Sequence, residues 1–266
     1  MTSLTAAPRR ATHAPAHRLT FAHLLRSETI KILTLRSTWW SFGLTAALSL
    51  AISFLLAMAA RDNGGEFAAA TLMTAPIQFT MLVAGIFGAI IITGEYSTGM
   101  IRSTLTAEPR RGAVLLAKAI VISAVMAVTT AVTYVLASVI TAPLVTGGLD
   151  WSTPSESVVP LTLGVASMIA FSLIGLGFGV LIRNGAGAIA ATVGVLFVLP
   201  IVVSLFAFTG ERWQWLLDSA QYLPMNAAAT LTSPGATDLA APAIALTAWA
   251  LVPLLLGWAA LRSRDA

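Results

Sequence analysis

Six long runs of apolar residues recur along the chain, and short polar stretches separate each run from the next. A helix needs about 20 consecutive, mostly apolar residues to cross a bilayer, and the runs reach that length. The pattern therefore predicts an all-α polytopic membrane protein with six transmembrane helices. We predict these spans at about residues 39–60, 72–93, 112–140, 158–182, 187–208 and 239–261.

The residues before the first span divide into two parts. Residues 1–18 are rich in Pro, Ala and Arg, and we expect a disordered basic tail because such a segment cannot bury a core. Residues 19–38 have the periodicity of an amphipathic helix that lies along the membrane surface. One side of this helix carries residues at helical spacing: Phe21, Leu24, Leu25, Glu28, Ile32 and Leu35. We expect Arg26 and Lys31, on its other side, to face the lipid headgroups. Residues 39–266 then form one six-helix domain.

A charged segment from Gly94 to Lys118 separates the second span from the third. Polar backbone and charges are excluded from hydrocarbon, so this segment must face water or another protein. It predicts a short helix from about Ser97 to Ala107, in which Ser97 and Thr98 can cap the N-terminus. Met100, Ile101 and Leu105 form its apolar set, and Pro109 ends it.

Composition supports a membrane location. Hydrophobic residues make up 57% of the chain and charged residues only 10%, whereas a soluble domain has about 25% charged residues. The chain has no cysteine, which excludes disulfides, thiolate metal sites and a cysteine nucleophile. The net charge of +4 does not indicate a nucleic-acid partner here, because the distribution of charge between the two membrane sides matters more than its total.

Basic residues fall almost entirely in the segments on one side of the six-span map. With a cytoplasmic N-terminus, the outer loops contain only Arg61 and Arg212 of the fifteen Lys and Arg residues. The inner segments contain the other thirteen: Arg9, Arg10, Arg18, Arg26, Lys31, Arg36, Arg102, Arg110, Arg111, Lys118, Arg183, Arg262 and Arg264. The positive-inside rule therefore predicts that both termini and the segment from Gly94 to Lys118 are cytoplasmic.

Several classes of membrane protein are disfavoured because the residues they need are missing. No charged residue falls deep within a span, which counts against an ion-coupled transporter. Glu95 and Lys118 lie near span ends, where we expect them to extend to the membrane surface. The only two lysines are Lys31 and Lys118, and neither follows a Gly-rich loop, so the chain has no Walker A phosphate loop. We expect no catalytic residue and no metal site.

Two further features have a structural interpretation beside a functional one. Gly175 and Gly179 form a GxxxG pair, which favours close helix packing inside one subunit or across a dimer. Residues 211–222, in the loop before the last span, form a one-sided helix closed by Pro224. From its residues, this helix would rest in the outer interface as part of an aromatic belt.

The segment after the second span also resembles a known family. The run from Gly94 to Gly99, followed by Arg102, Leu105, Pro109, Arg110, Arg111 and Lys118, is similar to the membrane subunits of bacterial type-2 ATP-binding-cassette (ABC) exporters. The N-terminal surface helix, with Glu28, Lys31 and the run from Leu35 to Trp40, resembles the residues that precede the first span in that family.

The resemblance implies a permease subunit of an ABC exporter in the bacterial cell membrane, working as a homo- or heterodimer. A separate ABC ATP-binding subunit would bind ATP and Mg, so this chain would hold no cofactor. The cytoplasmic helix Ser97 to Ala107 would be the coupling helix, and Glu95 would orient it by pairing with a nearby Arg. The resemblance also implies, as an alternative to the aromatic belt, that the helix in residues 211–222 is a re-entrant or interfacial gate. The residues implied in coupling are Glu95, Ser97, Thr98, Arg102, Leu105, Pro109, Arg110 and Arg111.

A second hypothesis from another class remains open. An ATP-independent membrane protein, such as a channel or an immunity or assembly factor, would also present a cytoplasmic loop to a partner. An ABC ATPase encoded beside the gene would favour the first hypothesis. The cargo, the direction of transport and the choice between homodimer and heterodimer do not follow from the sequence.

Overall fold

The fold of the chain is known from a computed structural model that describes residues 20–62, 68–145, 148–209 and 211–263. All regular secondary structure in these ranges is helical. The predicted basic tail at residues 1–18 lies outside the described residues, as does most of the loop after the first span. The α-helices of the described part are α1 (Phe21–Thr34), α2 (Arg36–Asp62), α3 (Ala69–Thr74), α4 (Ile77–Ser97), α5 (Met100–Ala107), α6 (Arg111–Thr141), α7 (Val158–Ile182), α8 (Gly185–Val193), α9 (Leu199–Leu205), α10 (Gln214–Ser219), α11 (Pro224–Leu231) and α12 (Ala240–Ser263).

Six helical segments are long and apolar enough to cross a membrane, which confirms the predicted number of spans. They are Arg36–Asp62, Ala69–Ser97, Arg111–Thr141, Val158–Ile182, Gly185–Phe208 and Ala240–Ser263. The fourth span has the bounds that the apolar pattern predicts. The others begin or end up to four residues from the predicted positions, because polar residues such as Arg36, Glu95 and Ser97 continue the helices beyond their apolar parts.

The second span is divided by a proline. Pro76 separates α3 from α4, and its carbonyl oxygen accepts hydrogen bonds from the backbone N–H groups of Phe79 and Thr80. Because proline has no N–H to donate and favours the first turn of a helix, α4 restarts immediately after it. The interruption predicted at Pro76 is thus present, although the span begins three residues before the predicted start at Leu72.

Helix α7 lies at the centre of the bundle, because its glycines let two neighbouring helices approach closely. A Cβ at Gly175 would lie 1.8 Å from the carbonyl oxygen of Gly85 on α4, and one at Gly88 would lie 1.9 Å from that of Ser172. On another side of α7, a Cβ at Gly177 would lie 2.6 Å from Pro253 of α12. These contacts bring backbones together without side chains between them, as small residues do in membrane helices.

The fifth span is irregular, and a short folded segment follows it. A π-helical stretch, Gly194–Val198, joins α8 to α9. After the span, α10 and its flanking 3₁₀ turns expose Trp215 and Tyr222. Pro224 closes this segment as predicted, because Leu223 before it has extended backbone angles of −68° and 148°. The same proline opens a second helix, α11, since a proline at the first position of a helix costs no backbone hydrogen bond.

The close α4–α7 contact predicts that Gly175→Ala destabilises the protein. The added methyl group would overlap the Gly85 carbonyl, and overpacking of this kind costs about 1–3 kcal/mol of unfolding free energy. Gly43→Ala on α2 is the matched control, because no atom lies within 4 Å of its Cβ position. Unfolding in detergent micelles measures both variants, and equal stability of the two would contradict this packing.

Candidate functional site

The short helix α5 lies between the second and third spans, but its start differs from the prediction. Ser97 belongs to α4 and Thr98 follows it, and both side chains donate hydrogen bonds back to the Gly94 carbonyl at 3.0 and 2.9 Å. They therefore do not cap α5. Gly99, with φ of 71°, is in the left-handed conformation that only glycine adopts at low cost, so it ends α4 and starts α5 at Met100.

The end of α5 agrees with the prediction from Pro109. Glu108, the residue before the proline, has extended backbone angles of −128° and 98°. Its carboxylate accepts hydrogen bonds from the Arg110 guanidinium, with Oε1 2.8 Å from Nε and Oε2 3.2 Å from Nη2. These bonds hold the pKa of the Glu108 carboxyl below its usual range. The pair fixes the turn that leads from α5 into α6.

Two side chains attach α5 to the bundle. Ile101 is buried in the main core, and Leu105 packs against a cluster formed by Leu24 of α1 and Val114 and Ala117 of α6. The opposite face of α5 is exposed and carries Met100, Arg102, Ser103 and Thr106. Helix α5 thus presents a polar face outward while its apolar face contacts both α1 and α6.

Four charged side chains meet beneath α5 and form what we call the ion cluster: Glu28 and Lys31 of α1, Glu95 of α4 and Lys118 of α6. Lys118 Nζ lies 2.5 Å from Glu28 Oε2 and 2.8 Å from Glu95 Oε1. Lys31 Nζ lies 2.7 Å from Glu28 Oε1 and 3.0 Å from Glu95 Oε1. Each ammonium therefore bridges both carboxylates, and the cluster ties three helices together.

The ion cluster is deeply buried and electrically balanced. The side chains of Glu28, Glu95 and Lys118 are 2%, 4% and 1% exposed, and that of Lys31 is 22% exposed. Desolvating a single charge is costly, but two carboxylates and two ammonium groups in direct contact offset much of that cost. Removing one member leaves an unbalanced buried charge. The cluster consequently holds α1, α4 and α6 only as a complete set.

The two members on α1 have shifted pKa values with opposite signs. Burial raises the pKa of the Glu28 carboxyl, but the ammonium groups of Lys118 and Lys31 outweigh burial and hold that pKa below 4.5. Burial lowers the pKa of the Lys31 ammonium, but Glu28 and Glu95 outweigh it and hold that pKa above 10.5. The stabilisation that Glu28 and Lys31 contribute to the folded state is therefore complete between pH 4.5 and pH 10.5. It is lost as pH falls through the lowered pKa of Glu28 or rises through the raised pKa of Lys31.

The ion cluster corrects three sequence predictions. Lys31 turns into the protein instead of facing lipid headgroups, Glu95 pairs with lysines instead of an Arg, and Lys118 does not extend to the membrane surface. All three have the same cause, since an opposite charge on a neighbouring helix satisfies each group inside the bundle. The available signal was Glu28, a carboxylate at a core-facing position of α1, together with the chain's only two lysines.

Arginines join other helix ends at the same end of the bundle. Arg111, at the start of α6, donates to the Leu261 carbonyl, and Arg183, after α7, donates to the Ala260 carbonyl at 3.2 Å. Both carbonyls belong to the last turns of α12, where cations complement the partial negative charge of a helix C-terminus. The Arg183 guanidinium also lies 5.5 Å from the centre of the Tyr96 ring. The ends of α4, α7 and α12 and the start of α6 therefore lie side by side.

The remaining site predictions fall into two places. Arg102 and Arg110 are exposed at α5 and just after it, and Pro109 is exposed beside them. Gly175 and Gly179 lie away from α5, and both pack against α4 of the same chain. A Cβ at Gly179 would lie 2.3 Å from the Ile92 side chain. This GxxxG pair therefore serves packing within one subunit.

Comparison with protein families gives a match over most of the chain. Residues 24–266 match the family described as ABC-2 family transporter protein. No curated protein sequence matches the chain. The match includes α1 from Leu24 onward, the ion cluster, α5 and all six spans.

The ion cluster generates a prediction on charge balance. Lys118→Met leaves two carboxylates with one ammonium, and breaking a buried pair on one side costs about 3–5 kcal/mol. Adding Glu28→Gln restores one carboxylate to one ammonium, Glu95 with Lys31. We therefore expect the double variant to be more stable towards unfolding in detergent than Lys118→Met alone. A double variant whose loss equals the sum of the two single losses would contradict coupling within the cluster.

Proposed function

The chain belongs to the ABC-2 transporter family, and on that premise we propose that it is the permease subunit of an ABC exporter, driven by a separate ATP-hydrolysing subunit. The observation that carries the proposal is α5, a short helix with an exposed polar face that is bound to the ends of three other helices. Such a helix can transmit a push from a soluble partner into the membrane bundle.

The proposed orientation follows from the distribution of basic residues. At the bundle end that contains α1 and α5, the described residues include Arg26, Lys31, Arg36, Arg102, Arg110, Arg111, Lys118, Arg183 and Arg262. At the opposite end they include only Arg61 and Arg212. The positive-inside rule then assigns α5 and both termini to the cytoplasm of a bacterial cell.

We assign α5 the role of coupling helix. The exposed Arg102 and the exposed residues at Pro109 and Arg110 would contact a cleft of the ATP-binding subunit, while Ile101 and Leu105 hold α5 to the bundle. Glu95 acts indirectly, because it fixes the end of α4 from which α5 starts. Ser97 and Thr98 shape the turn between these two helices by bonding to Gly94.

The contacts support a simple transmission path. A displacement of α5 reaches α1 and α6 through Leu105, and it reaches α4 through the two-residue link Thr98–Gly99. The ion cluster prevents α1, α4 and α6 from separating under that load. The displacement is then passed to α7 through the backbone contacts at Gly85 and Gly88.

ATP and Mg would be bound by the partner. The chain has no Walker A motif, and both of its lysines are engaged in the ion cluster. A second permease subunit, identical or different, would complete the translocation path. Exposed apolar side chains cover α2, α6 and α9, which suits contact with the bilayer and with that second subunit. An outward direction of transport is part of the proposal and follows the family resemblance.

The proposal predicts that Arg102→Glu weakens binding of the ATP-binding subunit. Reversing an exposed charge at an interface replaces attraction with repulsion, and we expect about a tenfold loss of co-purified partner and of transport. The partner is identified by mass spectrometry of proteins that co-purify with the unmodified chain. Arg212→Glu is the matched control, because it makes the same exposed change at the opposite end.

Two results would contradict the proposal. If no ABC ATPase co-purifies with the unmodified chain, an ATP-independent channel, immunity or assembly factor becomes the better interpretation. If the Arg102 and Arg212 variants retain equal partner binding and transport, α5 is not the coupling helix.

A further inference from the structure

A groove lies between the surface helix α1 and the two spans α2 and α6, and the proposed coupling role does not use it. The groove has a volume of about 510 Å³. Three residues of α1 and two of α2 line it, together with six residues of α6 between Ile120 and Thr129. Leu33, Ile120 and Val128 in this lining are exposed. The groove is therefore open to the lipid that surrounds the bundle.

The polar side chains in the lining have no hydrogen to offer a ligand. Thr29 and Thr129 each donate the hydroxyl proton to the carbonyl four residues earlier in their own helices, at 2.8 and 2.9 Å. The indole N–H of Trp39 donates to the Leu33 carbonyl at 3.0 Å. The other lining side chains are apolar. A polar ligand would lose its hydration here without gaining hydrogen bonds, so the lining favours an apolar occupant.

The groove has the depth of one leaflet of a bilayer. Along α6 it extends over nine residues, from Ile120 to Thr129, which is about 14 Å at about 1.5 Å per residue. Half of a hydrocarbon core of about 30 Å is about 15 Å. One end lies at the first turns of α2, where Trp39 is a residue typical of the headgroup boundary. The length therefore fits an acyl chain that runs from the headgroups to the middle of the bilayer.

Two arginines flank the groove at its headgroup end. Arg26 precedes Thr29 by three residues in α1, and Arg36 precedes Trp39 by three residues in α2, so each is a surface neighbour of a lining residue. Both are exposed, and neither forms an ion pair with any residue that the structure describes. The carboxylates described at this end of the bundle are already in ion pairs: Glu28, Glu95 and Glu108. The two arginines are therefore free to attract an anion from outside the chain.

We infer that this groove binds an anionic phospholipid. Its acyl chain lies along α6, and its phosphate contacts Arg26 and Arg36. Basic residues beside a span attract negatively charged headgroups, whereas a zwitterionic lipid carries its own cation, which competes with the arginines. The inference goes beyond the proposed function and does not depend on it, because it uses neither α5 nor an ATP-binding subunit.

One variant tests the apolar part of the site. Ala124 lines the groove and is exposed, so Ala124→Phe places a ring where the acyl chain lies. Ala131→Phe is the matched control, because Ala131 is also exposed on α6, about two turns further along, and does not line the groove. The unfolding temperatures of both variants check that they fold.

A second variant tests the charged part of the site. The double variant Arg26→Gln with Arg36→Gln removes the two positive charges beside the groove. The matched control is Arg61→Gln with Arg212→Gln, which removes two exposed positive charges from the opposite end of the bundle. The two double variants therefore have the same net charge.

The measurement is native mass spectrometry of the purified full chain after incubation with equal, limiting amounts of phosphatidylglycerol and phosphatidylethanolamine that have matched acyl chains. We expect the unmodified chain and both controls to retain about 25-fold more of the anionic lipid, or about fivefold for each arginine near the headgroup. We expect the variant at Arg26 and Arg36 to retain the two lipids equally, and Ala124→Phe to retain neither.

Four results would overturn the inference. The unmodified chain could show no headgroup preference, or Ala124→Phe could retain as much anionic lipid as Ala131→Phe. The variant at Arg61 and Arg212 could lose as much preference as the variant at Arg26 and Arg36, in which case net charge alone attracts the lipid. Soluble glycerophosphoglycerol could displace the lipid at equal concentration, which would indicate a site for the phosphate without the acyl chain.

A second copy of the chain is the other occupant that the experiment detects. Loss of the dimer mass in Ala124→Phe, without lipid bound to the unmodified chain, would assign the groove to a dimer contact and would also overturn the inference.

Discussion

Charge balance inside a membrane bundle is the constraint on which this structure depends. Glu28, Lys31, Glu95 and Lys118 are brought together from three helices, and each lysine contacts both carboxylates. No member can leave without exposing the others to an apolar environment that cannot solvate them. The surface helix α1 is therefore part of the bundle and not a separate membrane anchor. This has a direct consequence for α5, because α5 starts from the end of α4 and rests on α1 and α6, the same three helices that the ion cluster joins.

A second constraint acts deeper in the bundle, where close backbone contacts replace charge. Glycines at 85, 88 and 175 allow the backbones of α4 and α7 to meet directly, and Gly179 makes room for the Ile92 side chain of α4. Gly177 allows a similarly close approach of α7 and α12. Packed elements of this kind move as units, because their contacts leave no room to deform. The two constraints follow one another along α4, with the ion cluster near its end and the glycine contacts in its middle. In the function we propose, α4 is thus the element that carries movement from the coupling helix to the centre of the bundle.

The sequence predicted the spans better than it predicted the site, for a physical reason. The number of spans follows from the lengths of the apolar runs, which are a local property of the sequence. For the fourth span, even the first and last residues are the predicted ones. The start of α5 was wrong because Ser97 and Thr98 are good capping residues in general, while the left-handed conformation of Gly99 decides where one helix ends and the next begins. The partners of Glu95 were wrong because pairing across 64 residues, as with Lys31, leaves no local pattern. Pro224 ends one helical segment, as predicted, and also begins α11, which the sequence did not predict because proline suits both positions.

In the function we propose, the ion cluster makes α1 and α6 one rigid unit that moves with α5. Spin labels at Ile30 of α1 and Leu116 of α6, both exposed on the apolar surface, report the distance within one copy when labelled protein is diluted with unlabelled protein. A single label at Leu116 in undiluted protein reports the distance between two copies. In a homodimer bound to the proposed ATP-binding subunit, we predict that ATP changes the distance between copies and leaves the distance from Ile30 to Leu116 unchanged. A shift of the Ile30 to Leu116 distance as large as the shift between copies would contradict the claim.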